Sequence, residues 1–224
     1  MSRIFSGCLN LAFDRIKPHL LRVAVPNFTN RVLLLLALMA IVTIVDFKQK
    51  GREASKYREY GFILIAGAVG ALLGFANDLI TSSISPDYFV FGKGLDSGDG
   101  LRWRAGIFGA KEGLSAGIIA GAVCLFATAQ KTSLSTARMR SLLTRLWMPL
   151  AGAALAGLTL PLAAGAFDPF HLAAKLESFL NGDQIRRFLR VWWTHTGLYA
   201  GLTLGLAAMI ARTRRDRRIK AAEC

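Results

Sequence analysis

The sequence predicts an all-α fold, a polytopic transmembrane helical bundle of about five spanning helices, and three observations predict it. Apolar residues make up 53% of the 224 residues, and the mean hydropathy is +0.41. Lys and Arg nevertheless number 28 against 14 acids, a net charge of +14. The two properties coexist because they alternate in blocks. Apolar runs approach the roughly 20 residues that cross a hydrocarbon core about 30 Å thick at 1.5 Å per residue. Short connections crowded with Arg and Lys follow each run. A soluble basic domain would interleave its charges with its apolar residues. The positive charges flank the apolar blocks, where anionic headgroups and the topology rule account for them, so no nucleic-acid partner is called for. The expected partner is the lipid bilayer.

In chain order, residues 1–30 read as an amphipathic segment lying in the interface. Ile4, Leu9, Leu11, Ile16, Leu20 and Leu21 recur at loosely helical spacing with Arg15, Lys17 and Arg22 between them, and Pro18 divides the helix. Asp14, Lys17 and Pro18 also argue against a cleavable leader. The transmembrane bundle covers residues 31–211, with spans at 32–47, 60–81, 105–129, 147–167 and 191–211. Tyr60, Trp103, Trp147, Trp192 and Trp193 fall at or beside span starts, as an aromatic belt requires. Pro161 is expected to kink the fourth span. Asn27-Phe28-Thr29 matches a glycosylation sequon by chance. Residues 212–224 form a basic tail. That tail and the acid-free loop 131–145 place the C-terminus in the cytoplasm, with the chain in a bacterial inner membrane. Cys8, Cys124 and Cys224 are far apart and without a CxxC, so they indicate neither a zinc site nor a disulfide framework. No cofactor and no metal is expected.

Span three carries Gly109, Gly113, Gly117 and Gly121 at an unbroken spacing of four. Span five carries Gly197, Gly201 and Gly205, and span two carries Gly70 and Gly74. Such stripes let backbones approach closely, which matters in lipid because packing replaces the hydrophobic effect between helices. Spans two, three and five are therefore expected to form one tight bundle. A homo-oligomer interface is the competing use of the same stripes.

Four residues beyond Gly74 stands Asp78, so its carboxylate points where the glycines point. Lys111 and Glu112 lie near the start of span three, and His195 and Tyr199 near the start of span five. With Arg104, these residues gather towards one leaflet. Ionisable groups inside a membrane are costly unless paired or hydrated, and so they mark sites. The expected arrangement brings Asp78, Lys111 and His195 together, with Asp87, Tyr88 and Arg104 as the rim. An ion-pair lock between Asp78 or Glu112 and Lys111 is the purely structural alternative. His19 and His171 have no polar partners nearby in sequence and read as surface or interfacial. Residues 92–100 look like a phosphate or calcium loop but lack the P-loop ending and the EF-hand spacing, and they read as a flexible turn.

The loop that begins at Asp78 runs Asp78-Leu79-Ile80-Thr81-Ser82-Ser83-Ile84-Ser85-Pro86-Asp87-Tyr88-Phe89. It resembles a family of uncharacterised bacterial multi-pass membrane proteins that carries Asp-x-[Ile/Val]-Thr-x-x-x-Ser-Pro-[Glu/Asp]-Tyr-Phe. The match uses Asp78, Ile80, Thr81, Ser85, Pro86, Tyr88 and Phe89. Asp87 stands where the family usually has Glu. The resemblance implies a relative and no activity; within the motif, Thr81 and Ser85 are candidate site residues beside Asp78.

Three functions follow from these residues. The first is an integral membrane protein that binds or moves a small ion or solute at the polar cluster, a transport-like role. The second is a membrane scaffold packing through its glycine stripes. The third, the least favoured, is a membrane-embedded enzyme using Asp78, Asp87 and His195, which has no metal-ligand spacing behind it.

Overall fold

The computed structural model describes residues 27–129, 134–163, 168 and 170–222, so the expected interfacial segment lies outside the described residues up to residue 26. Every regular element among the described residues is a helix. The chain divides into two units, one ending at Ala40 and one beginning at Ile41.

Helix α1, Phe28–Lys50, begins in the first unit. Its start is set by Asn27, whose Oδ1 accepts from the Asn30 N–H at 3.0 Å. The asparagine of the sequon is thus a helix cap, which satisfies one of the donors that a helix leaves free at its start.

In the second unit the end of α1 turns through a 3₁₀ segment, Gly51–Glu53, into α2, Lys56–Ile84. Asp46 fixes that turn. Its Oδ2 accepts from the Ser55 and Lys56 N–H groups at 2.9 Å each, and its Oδ1 pairs with Lys50 at 2.9 Å. A π-helical turn, Tyr88–Gly92, then leads to α3, Leu101–Ala127. Gly100, at φ 78°, supplies the left-handed residue from which α3 starts. Next come α4, Thr136–Leu143, and α5, Trp147–Thr159. A 3₁₀ segment, Leu160–Ala163, continues α5. Leu160 keeps right-handed helical angles (φ −61°, ψ −35°), and the α pattern gives way to 3₁₀ where Pro161 has no N–H to donate. The end of the expected fourth span, at 164–167, lies outside the described residues. A short α6, Leu172–Leu176, precedes α7, Gly182–Ala222.

Four segments are long and apolar enough to cross a membrane: Phe28–Glu53, Lys56–Ile84, Leu101–Ala127 and Thr136–Leu162. The expected fifth span, 191–211, lies inside the 41 residues of α7 and is not one of the four. Thr194, His195, Thr196, Tyr199 and Thr203 dilute its apolar character. The helix also starts well before residue 191. Asn181 and Gln184 bond reciprocally, each backbone N–H to the other's side-chain oxygen at 3.0 Å, which is a capping box.

The helices of this unit pack as two close pairs, α2 with α3 and α5 with α7. Glycine makes each pair. A Cβ added at Gly113 would stand 2.1 Å from the Gly70 carbonyl oxygen, and one at Gly70 would stand 2.2 Å from that of Gly113. Gly74 and Gly109 oppose each other in the same way, at 2.1 and 2.3 Å. In the second pair a Cβ at Gly201 would meet the Gly152 oxygen at 2.0 Å, and Gly197 and Gly205 lie against the carbonyls of Ala156 and Met148. The stripe on α7 therefore packs on α5 through Gly152, and not with α2 and α3 in one set as expected. Sequence alone shows that a stripe needs a close neighbour, not which neighbour it has.

Away from these seams the surface is apolar. Leu72, Ile119 and Leu204 are 71%, 63% and 71% exposed. Water would penalise such a surface and lipid does not, so the burial pattern suits the membrane that the helix lengths suit.

The basic connections cap helix ends. Arg214 donates to the Ala127 carbonyl at 2.8 Å, and Arg138 and Arg217 both donate to that of Thr128. Together they satisfy carbonyls left open where α3 ends. Arg145 reaches Thr213 at 3.0 Å and pairs with Asp216. Beneath this lock Phe62, Cys124, Leu134, Leu142 and Met209 form a buried cluster. A second cluster, including Tyr88, Phe89, Ala105, Phe188, Val191 and Trp193, closes the other end of the unit.

Candidate functional site

Asp78 sits one helical turn past Gly74 on the face of α2 that meets α3, and it is 2% exposed. Gly109 makes room for it as well as for Gly74, since a Cβ there would stand 2.6 Å from the Asp78 carboxyl carbon. The glycine stripe and the buried carboxylate are therefore one structural device.

The partner of Asp78 is His195 on α7. His195 Nε2 lies 2.8 Å from Asp78 Oδ1, and its Nδ1 lies 2.9 Å from the Val191 carbonyl oxygen. A carbonyl oxygen only accepts, so Nδ1 carries a hydrogen. The Nε2–Oδ1 contact then holds one further proton, which belongs either to the imidazole or to the carboxyl. The pair is neutral overall in both arrangements. Asn77 Nδ2 donates to the same Oδ1 at 2.9 Å and stands 3.2 Å from His195 Nε2. Asp78 Oδ2, although buried, has no hydrogen-bond partner among the described residues.

The motif from Asp78 to Phe89 builds a lid on this pair. Thr81 donates back to the Asn77 carbonyl at 2.8 Å, and the Ser85 N–H reaches the Thr81 carbonyl at 3.0 Å. Ser85 Oγ accepts from the Tyr88 N–H at 3.3 Å, which turns the chain after Pro86 into the π-helical segment. Tyr88 is thereby laid over His195, with ring centroids 4.9 Å apart and planes at 29°, while Phe89 meets the imidazole edge-on at 6.0 Å. Burial, with the nearby Glu112 and Asp78 carboxylates, pushes the Tyr88 hydroxyl far above its usual range, so it stays protonated.

A second polar group adjoins the first. Glu112 takes a bidentate contact from Lys93, at 2.7 Å to each carboxylate oxygen, and Tyr199 Oη lies 3.4 Å from it.

Several expected placements change. Asp78 is hydrogen-bonded to His195 and Asn77 rather than to Lys111, and Glu112 takes its cation from Lys93. Lys111, one residue before Glu112 on α3, has turned to an exposed side of the helix. Arg104 is not part of a rim around the pair. It staples the loop before α3, donating to the Asp96 and Asp99 carbonyls at 2.8 and 2.7 Å. Asp87 is half-buried at the start of the lid and makes none of the bonds that hold the pair. His171 stands just before α6 in a left-handed conformation, at φ 51°. His19 lies outside the described residues. Residues 92–100 form a folded turn, tied by Arg104, by Lys93 and by the Leu95 N–H on the Phe89 carbonyl at 2.9 Å.

The pair looks into a partly open crevice between the two helix pairs, with a cavity volume of about 130 Å³. Its walls come from α2, α3, α5 and α7. At one end stand Asn77, Asp78, Glu112, His195 and Tyr199, and from there to Phe62, Cys124 and Leu206 the lining is apolar side chains and glycine. Among the described residues no three His, Cys, Asp or Glu side chains gather in a way that would hold a metal ion.

Comparison with protein-family models, with curated proteins and with solved structures finds no match.

Proposed function

We propose that the chain is an integral membrane protein that binds a small solute at the inner end of its crevice, with the Asp78–His195 pair as the recognising group. One observation carries this reading. A carboxylate oxygen is buried without a donor, on a residue that lines a cavity open to its surroundings. Leaving such a group unsatisfied costs about 1–3 kcal/mol or more, which a ligand carrying a donor recovers. The pair is neutral overall, so the site offers a solute hydrogen bonds rather than a net charge. The groups facing it are Tyr88 from the lid, Glu112 with Lys93 from α3 and its preceding loop, and Tyr199 on α7. The glycine stripes that a scaffold would offer to partners are covered within α2–α3 and α5–α7, so they lend the scaffold reading no support.

Solute access tests the proposal. In a background with Cys8, Cys124 and Cys224 replaced by serine, Asn77→Cys is treated with a small cationic methanethiosulfonate in proteoliposomes. Modification within a factor of about 100 of an exposed loop cysteine, slowed by the bulky Ala116→Phe in the crevice, is the expected result. A cysteine that stays unmodified while the protein remains folded would make the pair a sealed structural lock.

The orientation is part of the same proposal. The basic tail places the C-terminus in the cytoplasm of a bacterial inner membrane, with the Tyr88 lid on the opposite face. A reporter that is active only in the periplasm should stay silent at the C-terminus and be active when inserted near Ser97. The reverse pattern would invert the topology.

A further inference from the structure

We infer that the ligand of this crevice is a single-chain amphiphile with a neutral hydroxyl head, an inference that rests on the binding reading above. The polar groups of the crevice stand at one end only, and its remaining wall is hydrocarbon and glycine. Along α2 it runs from Asp78 to Phe62, sixteen residues, or about 24 Å at 1.5 Å per residue. That covers most of the roughly 30 Å hydrocarbon core and exceeds the depth of one leaflet. A small polar solute would leave most of this length without a partner, whereas an extended alkyl or isoprenoid chain fills it.

The glycines decide the width. At Gly70, Gly74, Gly109, Gly113 and Gly117 the floor is bare backbone, because any side chain there would strike the opposing helix. The zipper that joins α2 to α3 thus also leaves a smooth trough for a chain.

The head follows from the acceptors. Asp78 Oδ1 already takes donors from His195 and Asn77, while Oδ2 takes none, so the ligand has to bring a donor. Asp78 is offset by His195 and Glu112 by Lys93, so the site has no net field to compensate a fully charged ammonium. An anionic headgroup would face two carboxylates. A hydroxyl brings a donor to the Asp78 end at no charge cost, beside the Tyr199 and Glu112 groups that line it.

The test uses full-length protein in nanodiscs and a hexadecanol bearing a diazirine at its far end. After irradiation, label is mapped by peptide mass spectrometry. The expected result is label around Phe62, Cys124 and Leu206, at the end of the crevice remote from Asp78. Unlabelled hexadecanol should compete it away. The same diazirine on hexadecane or on a phosphatidylcholine tail should label there about tenfold less, the factor that one charge-assisted hydrogen bond confers. Ala116→Phe, which fills the trough midway, should abolish the far-end label with an unchanged melting temperature. Val69→Trp does the same from the opposite wall if Ala116→Phe does not fold. Equal labelling by hexadecane or by phosphatidylcholine overturns the hydroxyl head and leaves ordinary lipid as the occupant. No competable label at the far end overturns the chain, while reactive Asn77→Cys still upholds a solute site. Competable label with an unreactive Asn77→Cys upholds the chain and overturns the solute site.

Discussion

Replacing Gly117 by leucine is expected to take apart the α2–α3 pair and cost roughly 3 kcal/mol or more. In a protein of this size that lowers the melting temperature by about 10 °C. The reason is steric and backbone-to-backbone. A Cβ at Gly117 would lie 2.3 Å from the Ala66 carbonyl oxygen and 2.9 Å from the Gly67 Cα, so no rotamer change relieves it and the helices have to separate. Separation removes close packing along the whole seam, which in lipid is the main source of helix association. Gly117→Ala should already show part of the loss. Ile119 on the same helix is 63% exposed to the outside, so Ile119→Leu should stay within about 0.5 kcal/mol of the parent. Thermal unfolding of the detergent-solubilised variants, followed by circular dichroism, measures all three. Equal melting temperatures for Gly117→Leu and the parent would mean that this seam is not closed.

Removing the carboxylate of Asp78 is the other large effect. Asp78→Ala is expected to cost about 3 kcal/mol, because it strands the buried Nε2 of His195 and opens a gap against Gly109. His195→Ala should cost a similar amount, since it also leaves the buried Tyr88 ring without the imidazole it stacks on. Asp78→Asn should be milder, about 1–2 kcal/mol. An ion pair with Lys111, as the sequence suggests, would make that variant as harmful as Asp78→Ala, because a fixed cation would lose its counter-charge. Histidine is different. It can stay neutral and accept at Nε2 from the new amide. The ranking of the two Asp78 substitutions by melting temperature therefore separates a histidine partner from a lysine partner.

Much of this architecture can be read from the chain because membranes impose simple rules. Apolar run length gives four of the five expected spans. The four-residue step from Gly70 through Gly74 to Asp78 gives the direction of the carboxylate, and alternation of sides brings His195 to the same end. The missing parts depend on partners remote in sequence. Lys93 reaches Glu112 from a loop nineteen residues away, and nothing about Lys93 itself distinguishes it from a surface lysine. Gly152 belongs to no four-residue glycine stripe, and its role exists only because Gly201 lies opposite. Asn77 is less conspicuous in the sequence than its charged neighbour, although an amide beside a buried carboxylate is a natural second donor. The start of α7 was available in the sequence. Asn181 and Gln184 stand at capping-box spacing, ahead of the apolar run that begins at residue 191. Hydropathy marks where a helix enters lipid, and caps mark where it starts.

The pairing of Asp78 with His195 joins the two helix pairs and creates the polar end of the crevice, so it carries the account most directly. A double-mutant cycle on Asp78→Asn and His195→Gln, read by reversible unfolding in detergent, measures it. The contact at 2.8 Å predicts a coupling free energy of about 1 kcal/mol or more, with the double variant losing clearly less than the two single losses together. Losses that add to within about 0.5 kcal/mol, as for residues that do not touch, would contradict it.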